Sequence, residues 1–165
     1  MTTIVVDWNN VYSDSLAYGW YSWPNYVDKI IKKTIWDDEV ILWYTWTIFN
    51  LDIREVFLDF GIVANPTYLQ QNDIRKKILG YMKDFTTPTL MFVIVVVSIN
   101  NSYMIKYYKE DWVTFEHIKT PLAIWSGCDF AMWALAWGLS GLEALKVAIK
   151  LDNSTWWPIT HLSLD

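Results

Sequence analysis

The feature that most constrains this chain is the apolar run "LMFVIVVV" at residues 90–97. It is far shorter than the roughly 20 residues that a membrane-spanning helix needs, and its β-branched residues favour an extended conformation. We therefore expect a buried strand at the centre of a sheet. A chain of 165 residues suits one domain with one sizeable core, and residues 1–165 contain no linker or internal repeat.

The other segments predict strands and helices in alternating groups. "SGLEALK" has Ser140 and Glu143 at the spacing of a helical capping box. The predicted order is a four-strand meander (3–7, 10–15, 26–34, 39–45), helices (49–60, 66–85), strands (89–99, 103–109, 113–118, 121–125), helices (128–138, 140–152) and a last strand (158–164). This order predicts an α+β fold in which helices cover two sheets.

Charge and cysteine content exclude several classes of protein. A net charge of -5, from 13 Lys+Arg against 18 Asp+Glu, argues against nucleic-acid binding, which needs a basic face. The single cysteine, Cys128, excludes an internal disulfide framework and fits a cytoplasmic, reducing compartment. The N-terminus shows no signal peptide, and we expect neither a membrane nor a cofactor. His117 and His161 are too far apart in sequence to predict a metal site.

The start of the chain offers a nucleophile. Because Thr2 is small, removal of Met1 would leave Thr2 with both a hydroxyl and a free α-amine. That amine has an ordinary pKa of about 7.7–8.0, so it can act as a base near neutral pH. One residue then supplies nucleophile and base together.

Residues 2–46, which contain "TTIVVD", "VYSDS", "YVDKIIKK" and "DDEVILWYTW", resemble the N-terminal region of proteasome β-subunits and their bacterial relative HslV. These are N-terminal-nucleophile threonine peptidases. "AIWSGCDFAMWALAWG" (123–138) resembles the strand, Gly-Ser-Gly turn and helix of that family, and "LDNSTWWPI" (151–159) its Asp-x-x-Ser/Thr-Gly-Gly segment. The resemblance implies a four-layer αββα sandwich.

The resemblance also implies a set of site residues. Thr2 matches the nucleophile, and Lys29, kept charged by Asp14, would lower the pKa of the Thr2 amine and hydroxyl. The other implied residues are Ser126, Asp152 and Thr155 (with Ser154 as an alternative) supporting the terminal amine, the Trp46 main-chain N–H as oxyanion donor, and Trp43, Trp46 and Gly127 lining the substrate cleft. Cys128, at a helix start, is interpreted as packing.

The implied function is a threonine endopeptidase subunit of a homo-oligomeric ring that cleaves unfolded polypeptides delivered by an ATP-driven unfoldase. The alternative is a catalytically silent ring or scaffold subunit with the same fold. A third interpretation takes the aromatic residues as a surface for sugars or lipids. That interpretation predicts tryptophans sharing one face, whereas the sequence spreads them through turns along the whole chain.

Tryptophan occupies places where glycine is expected. The chain has 12 Trp and 6 Gly, although glycine is ordinarily about 7% of a chain. Seven of the tryptophans stand where the resembling family has Gly or small residues: Trp20, Trp23, Trp43, Trp46, Trp125, Trp156 and Trp157. Three others stand beside Asp, as in Asp-Gly turns: Trp8, Trp36 and Trp112. Some bacteria and their phages read the UGA codon as glycine, and another code reads it as tryptophan. We therefore expect most of these positions to be glycine, while Trp133 or Trp137 can be genuine.

Overall fold

The computed structural model describes residues 3–14, 16–18, 24–26, 30–35, 37–44, 60–83, 92–108 and 112–164. The strands are β1 (Thr3–Asp7), β2 (Asn10–Asp14), β3 (Leu16–Tyr18), β4 (Pro24–Tyr26), β5 (Ile30–Ile35), β6 (Asp38–Tyr44), β7 (Phe92–Ser98), β8 (Ser102–Tyr108), β9 (Trp112–His117), β10 (Leu122–Trp125) and β11 (Ile159–Ser163). The helices are α1 (Tyr68–Met82), α2 (Cys128–Ala136) and α3 (Gly141–Leu151).

These strands form two larger antiparallel sheets. The first has the order β10-β1-β2-β11 and the second the order β5-β6-β7-β8-β9, while β3 and β4 pair as a separate ribbon. The predicted buried strand is β7, whose residues from Val93 to Val97 are all buried. It lies at the centre of the second sheet, as the apolar run predicts.

The predicted four-strand meander is wrong. The hairpins β1–β2 and β5–β6 form as expected, but they lie in different sheets. β1 takes β10 as its other neighbour, and β6 takes β7. Hairpin pairing is local and can be read from the sequence, whereas the second neighbour of each strand depends on packing between distant segments.

Three buried clusters show how the layers pack. Alternate residues of β1 point to opposite faces of its sheet: Val5 packs with α2 and α3, whereas Ile4 and Val6 pack against β6 and β7 of the second sheet. The far face of the second sheet packs against Ile74, Ile78 and Met82 of α1. The buried side chains therefore form three clusters, one of which joins the two sheets.

The helix boundaries follow capping signals. Ser140 accepts from the Glu143 main-chain N–H, and Glu143 reaches back to the Ser140 N–H, so the predicted capping box is confirmed. Thr67 and Gln70 form a second box at the start of α1, directly after Pro66. The predicted helix at 49–60 lies outside the described residues except for Phe60. No described helix is long and apolar enough to cross a membrane.

Candidate active site

The described site residues meet around the first residues of β1. Asp14 ends β2, Ser126 and Gly127 form the turn between β10 and α2, and Asp152 and Thr155 follow the end of α3. Antiparallel pairing places Thr3 opposite Trp125, beside this turn. The predicted Thr2, Lys29 and Trp46 lie outside the described residues, and the roles assigned to all these residues stay predictions.

Asp14 holds two segments together. Its side chain is fully buried, and Oδ1 accepts from the Thr3 main-chain N–H at 2.9 Å. Oδ2 accepts from the Trp156 main-chain N–H at 3.4 Å. Because hydrogen bonds to a carboxylate are stronger than those between neutral groups, Asp14 ties the start of β1 to the loop after α3.

Thr3, which the sequence patterns did not single out, lies at the centre of the cluster. Its side chain is fully buried, and Oγ1 accepts from the Gly127 main-chain N–H at 2.8 Å. Oγ1 is also 2.5 Å from Thr155 Oγ1 and 3.5 Å from Ser126 Oγ. Thr155 Oγ1 in turn donates to Asp152 Oδ2 at 2.5 Å.

The directions of these hydrogen bonds follow from the number of protons. An ionised carboxylate only accepts, and a threonine hydroxyl has one proton. Since the Thr155 proton goes to Asp152, the short contact between the threonines must be a bond donated by Thr3. The result is one directed chain from the Gly127 N–H through Thr3 and Thr155 to Asp152, in a buried place where such bonds strengthen one another.

Gly127 packs closely against the side chains of this hydrogen-bonded network. A Cβ at residue 127 would lie 2.7 Å from Thr3 Oγ1, 2.8 Å from Thr155 Oγ1 and 2.9 Å from Ala148 Cβ, distances that real structures do not tolerate. Only glycine therefore fits here. Its main-chain N–H is already used by Thr3, and its predicted role in substrate binding stays a prediction.

Trp43 and Trp125 fill the space between the sheets near the same end of β1. Trp43 is fully buried, and its ring centroid lies 6.5 Å from that of Trp125. Both belong to the cluster that includes Ile4 and Ile30. If this space is the predicted substrate cleft, the two indoles occupy it.

The remaining titratable candidates do not build a second site. Burial and the neighbouring Asp129 raise the pKa of the Cys128 thiol, which disfavours a reactive thiolate and agrees with its interpretation as packing. His117 Nδ1 contacts Asn101, while His161 Nε2 contacts Asn10 and its ring stacks on Tyr12. Among the described residues, no group of His, Cys, Asp or Glu could hold a metal ion.

Neither the comparison with protein-family profiles nor that with curated protein sequences gave a match. Solved structures do match. Thiobacillus denitrificans BPH in complex with epoxomicin is 15% identical with a TM-score of 0.62, covering 99% of this chain and 97% of that one. The helical assembly of the Anbu complex from Pseudomonas aeruginosa is 12% identical with a TM-score of 0.62, covering 99% and 81%.

HslV from Trypanosoma brucei is 15% identical with a TM-score of 0.52, covering 99% of this chain and 100% of that one. The structural neighbours are thus proteasome-like peptidases and Anbu, the ancestral β-subunit. These identities are low, and the likeness extends over the whole length of the chain. The likeness concerns the fold alone, which is α+β with two antiparallel sheets.

Proposed function

We propose that this protein is a threonine-type endopeptidase subunit with Thr2 as its nucleophile after removal of Met1. The observation that carries the proposal is the hydrogen-bonded cluster of Asp14, Thr3, Gly127, Thr155 and Asp152 around the start of β1. Thr2 directly precedes this fixed residue. A nucleophile needs such a rigid support, because small displacements of the attacking atom cost large factors in rate.

The chemistry would use residues from three parts of the chain. The Thr2 hydroxyl attacks the scissile carbonyl while its own amine accepts the proton, and Lys29, held by Asp14, lowers the pKa of both groups. Ser126, with Asp152 and Thr155, supports the amine. The Trp46 main-chain N–H stabilises the developing oxyanion. The silent-subunit alternative keeps the fold and lacks this reaction.

Epoxomicin tests the assignment of the nucleophile. The Thiobacillus neighbour is a complex with this compound, whose epoxide and ketone are electrophiles. With Met1 removed, we expect it to inhibit peptide cleavage and to add its mass to the N-terminal peptide. Trp43→Gly/Trp125→Gly protein should be tested in parallel, because both indoles occupy the proposed cleft. An N-terminus that retains Met1, or an adduct at Cys128, would contradict the proposal.

The helix–sheet–sheet–helix packing supports the four-layer αββα arrangement, and we propose that the subunit assembles with copies of itself. Large apolar side chains are exposed along α2 and just after it, among them Phe130, Trp133 and Trp137. Exposed apolar patches of this kind commonly mark interfaces. A head-to-tail interface closes into a ring or continues as a helix, depending on its rotation, and the Pseudomonas Anbu neighbour is a helical assembly.

Light scattering tests this assembly. We expect a particle many times the 19.5 kDa of one chain at micromolar concentration, with a ring giving one defined mass and an open helix giving a mass that grows with concentration. A monomer throughout this range would contradict the proposal.

An ATP-driven unfoldase, unfolded polypeptide substrates and a cytoplasmic location complete the proposed function.

A further inference from the structure

Two tryptophans have backbone conformations that suit glycine. Among the described residues, Trp8 (φ 55°) and Trp125 (φ 76°) are the only non-glycine residues with positive φ, and Gly61 and Gly138 are the only glycines with positive φ. A side chain in this left-handed region brings Cβ against the backbone, and glycine alone avoids that cost. For a residue as bulky as tryptophan such a conformation is a true outlier.

Trp8 gains nothing that would compensate for its conformation. It is the first of the two residues, with Asn9, that join β1 to β2, between the paired Asp7 and Asn10. Two-residue hairpins with positive φ at this first position favour glycine there. The Trp8 side chain is 69% exposed, so it has little packing to lose.

Trp125 ends β10 and directly precedes Ser126 and Gly127. Its indole Nε1 is buried without a hydrogen-bond partner among the described residues, and so is that of Trp43. A buried donor without a partner is costly, and buried tryptophans ordinarily find one for this nitrogen. Two neighbouring indoles, both without a hydrogen-bond partner among the described residues and one on a residue with positive φ, indicate space that was not shaped for them.

We propose that residues 8 and 125, and with them residue 43, are glycine in the protein that the host makes. Their codons would be UGA, read as glycine in the host and as tryptophan in the printed sequence. The excess of Trp over Gly in the chain is the compositional mark of such a substitution. Without the two indoles at 43 and 125, a cleft opens between the sheets beside the start of β1.

The thermal stability of the Gly and Ala variants at each position tests the backbone argument. Both variants remove the indole, so their difference isolates the effect of φ. At residues 8 and 125 we expect the Gly variant to unfold about 2–8 °C above the Ala variant. Trp112 is the matched control: the sequence predicts an Asp-Gly turn there, but the residue begins β9, lacks a positive φ and is 66% exposed. At this position the Ala variant should equal or exceed the Gly variant. An Ala variant at least as stable as Gly at both 8 and 125 overturns the argument.

Peptide mapping of protein from the host, with the codons of its gene, tests the identity of the residues. We expect peptides lighter at each position by the difference between tryptophan and glycine, together with in-frame UGA codons. Tryptophan at 8 and 125, or UGG codons there, overturns the proposal whatever the thermal result. Neither measurement involves peptide cleavage, so the glycine assignment can fail or hold independently of the proposed peptidase function. Only the use of the opened space as a substrate cleft rests on that function.

Discussion

Thr2→Ala should reduce peptide cleavage about 10³-fold or more, the scale of loss when a nucleophile that acts together with its base is removed. The substitution removes the attacking hydroxyl but leaves the amine and the backbone in place. Thr3 and Asp14, which fix the adjoining strand, are unchanged, so the fold should be retained. Initial rates on a fluorogenic peptide measure the effect. They are compared in the protein with tryptophan at both positions and in the Trp43→Gly/Trp125→Gly protein.

Thr2→Ser is the matched control, since it keeps a hydroxyl on the same carbon and should retain measurable cleavage. The assembled mass of the Thr2→Ala variant should equal that of the parent, which separates lost chemistry from lost structure. Equal cleavage by the parent and the Thr2→Ala variant, both without Met1, would show that another group attacks the peptide. If neither background cleaves peptides, the silent-subunit alternative becomes the better account.

Local signals in the sequence were enough to predict most elements. β7 follows from a run of β-branched residues, and α3 follows from a cap whose two partners are three residues apart. Such features involve neighbours in the chain, so no knowledge of the rest of the fold is needed. The division of the strands between two sheets could not be predicted in this way, because β1 finds its partner β10 more than 100 residues along the chain.

The candidate site shows the same limit. The described residues Asp14, Ser126, Asp152 and Thr155 do come together, and their spacing gives no reason for it; the family resemblance suggested it. The sequence patterns predict a role for the terminal Thr2 and none for its neighbour Thr3. One signal was available: the alternation of β1 places Thr3 with Val5, opposite Ile4 and Val6, so a hydroxyl on that buried face required a partner.

Thr3→Val should destabilise the fold and weaken catalysis together. Valine has nearly the shape of threonine but no hydroxyl, so the Gly127 N–H loses its acceptor and Thr155 Oγ1 loses its donor. Leaving such a buried group unpaired costs about 1–3 kcal/mol. We expect the free energy of unfolding, measured in urea, to fall by about that amount.

The effect on catalysis should appear in kcat more than in KM, because the Thr3 side chain is fully buried and acts through the position of Thr2. Thr3→Ser restores the hydroxyl and should recover both stability and kcat, whereas a purely steric role of the threonine methyl, which valine keeps and serine lacks, would leave valine unimpaired and serine impaired. A second test uses Thr155, the next residue of the hydrogen-bonded network. Thr155→Val removes the acceptor of the Thr3 proton. Because the two hydroxyls act in one directed network, the Thr3→Val/Thr155→Val protein should lose less stability than the sum of the two single losses. Additive losses would mean that the two threonines stabilise the start of β1 independently, and the directed chain from Gly127 to Asp152 would then be wrong.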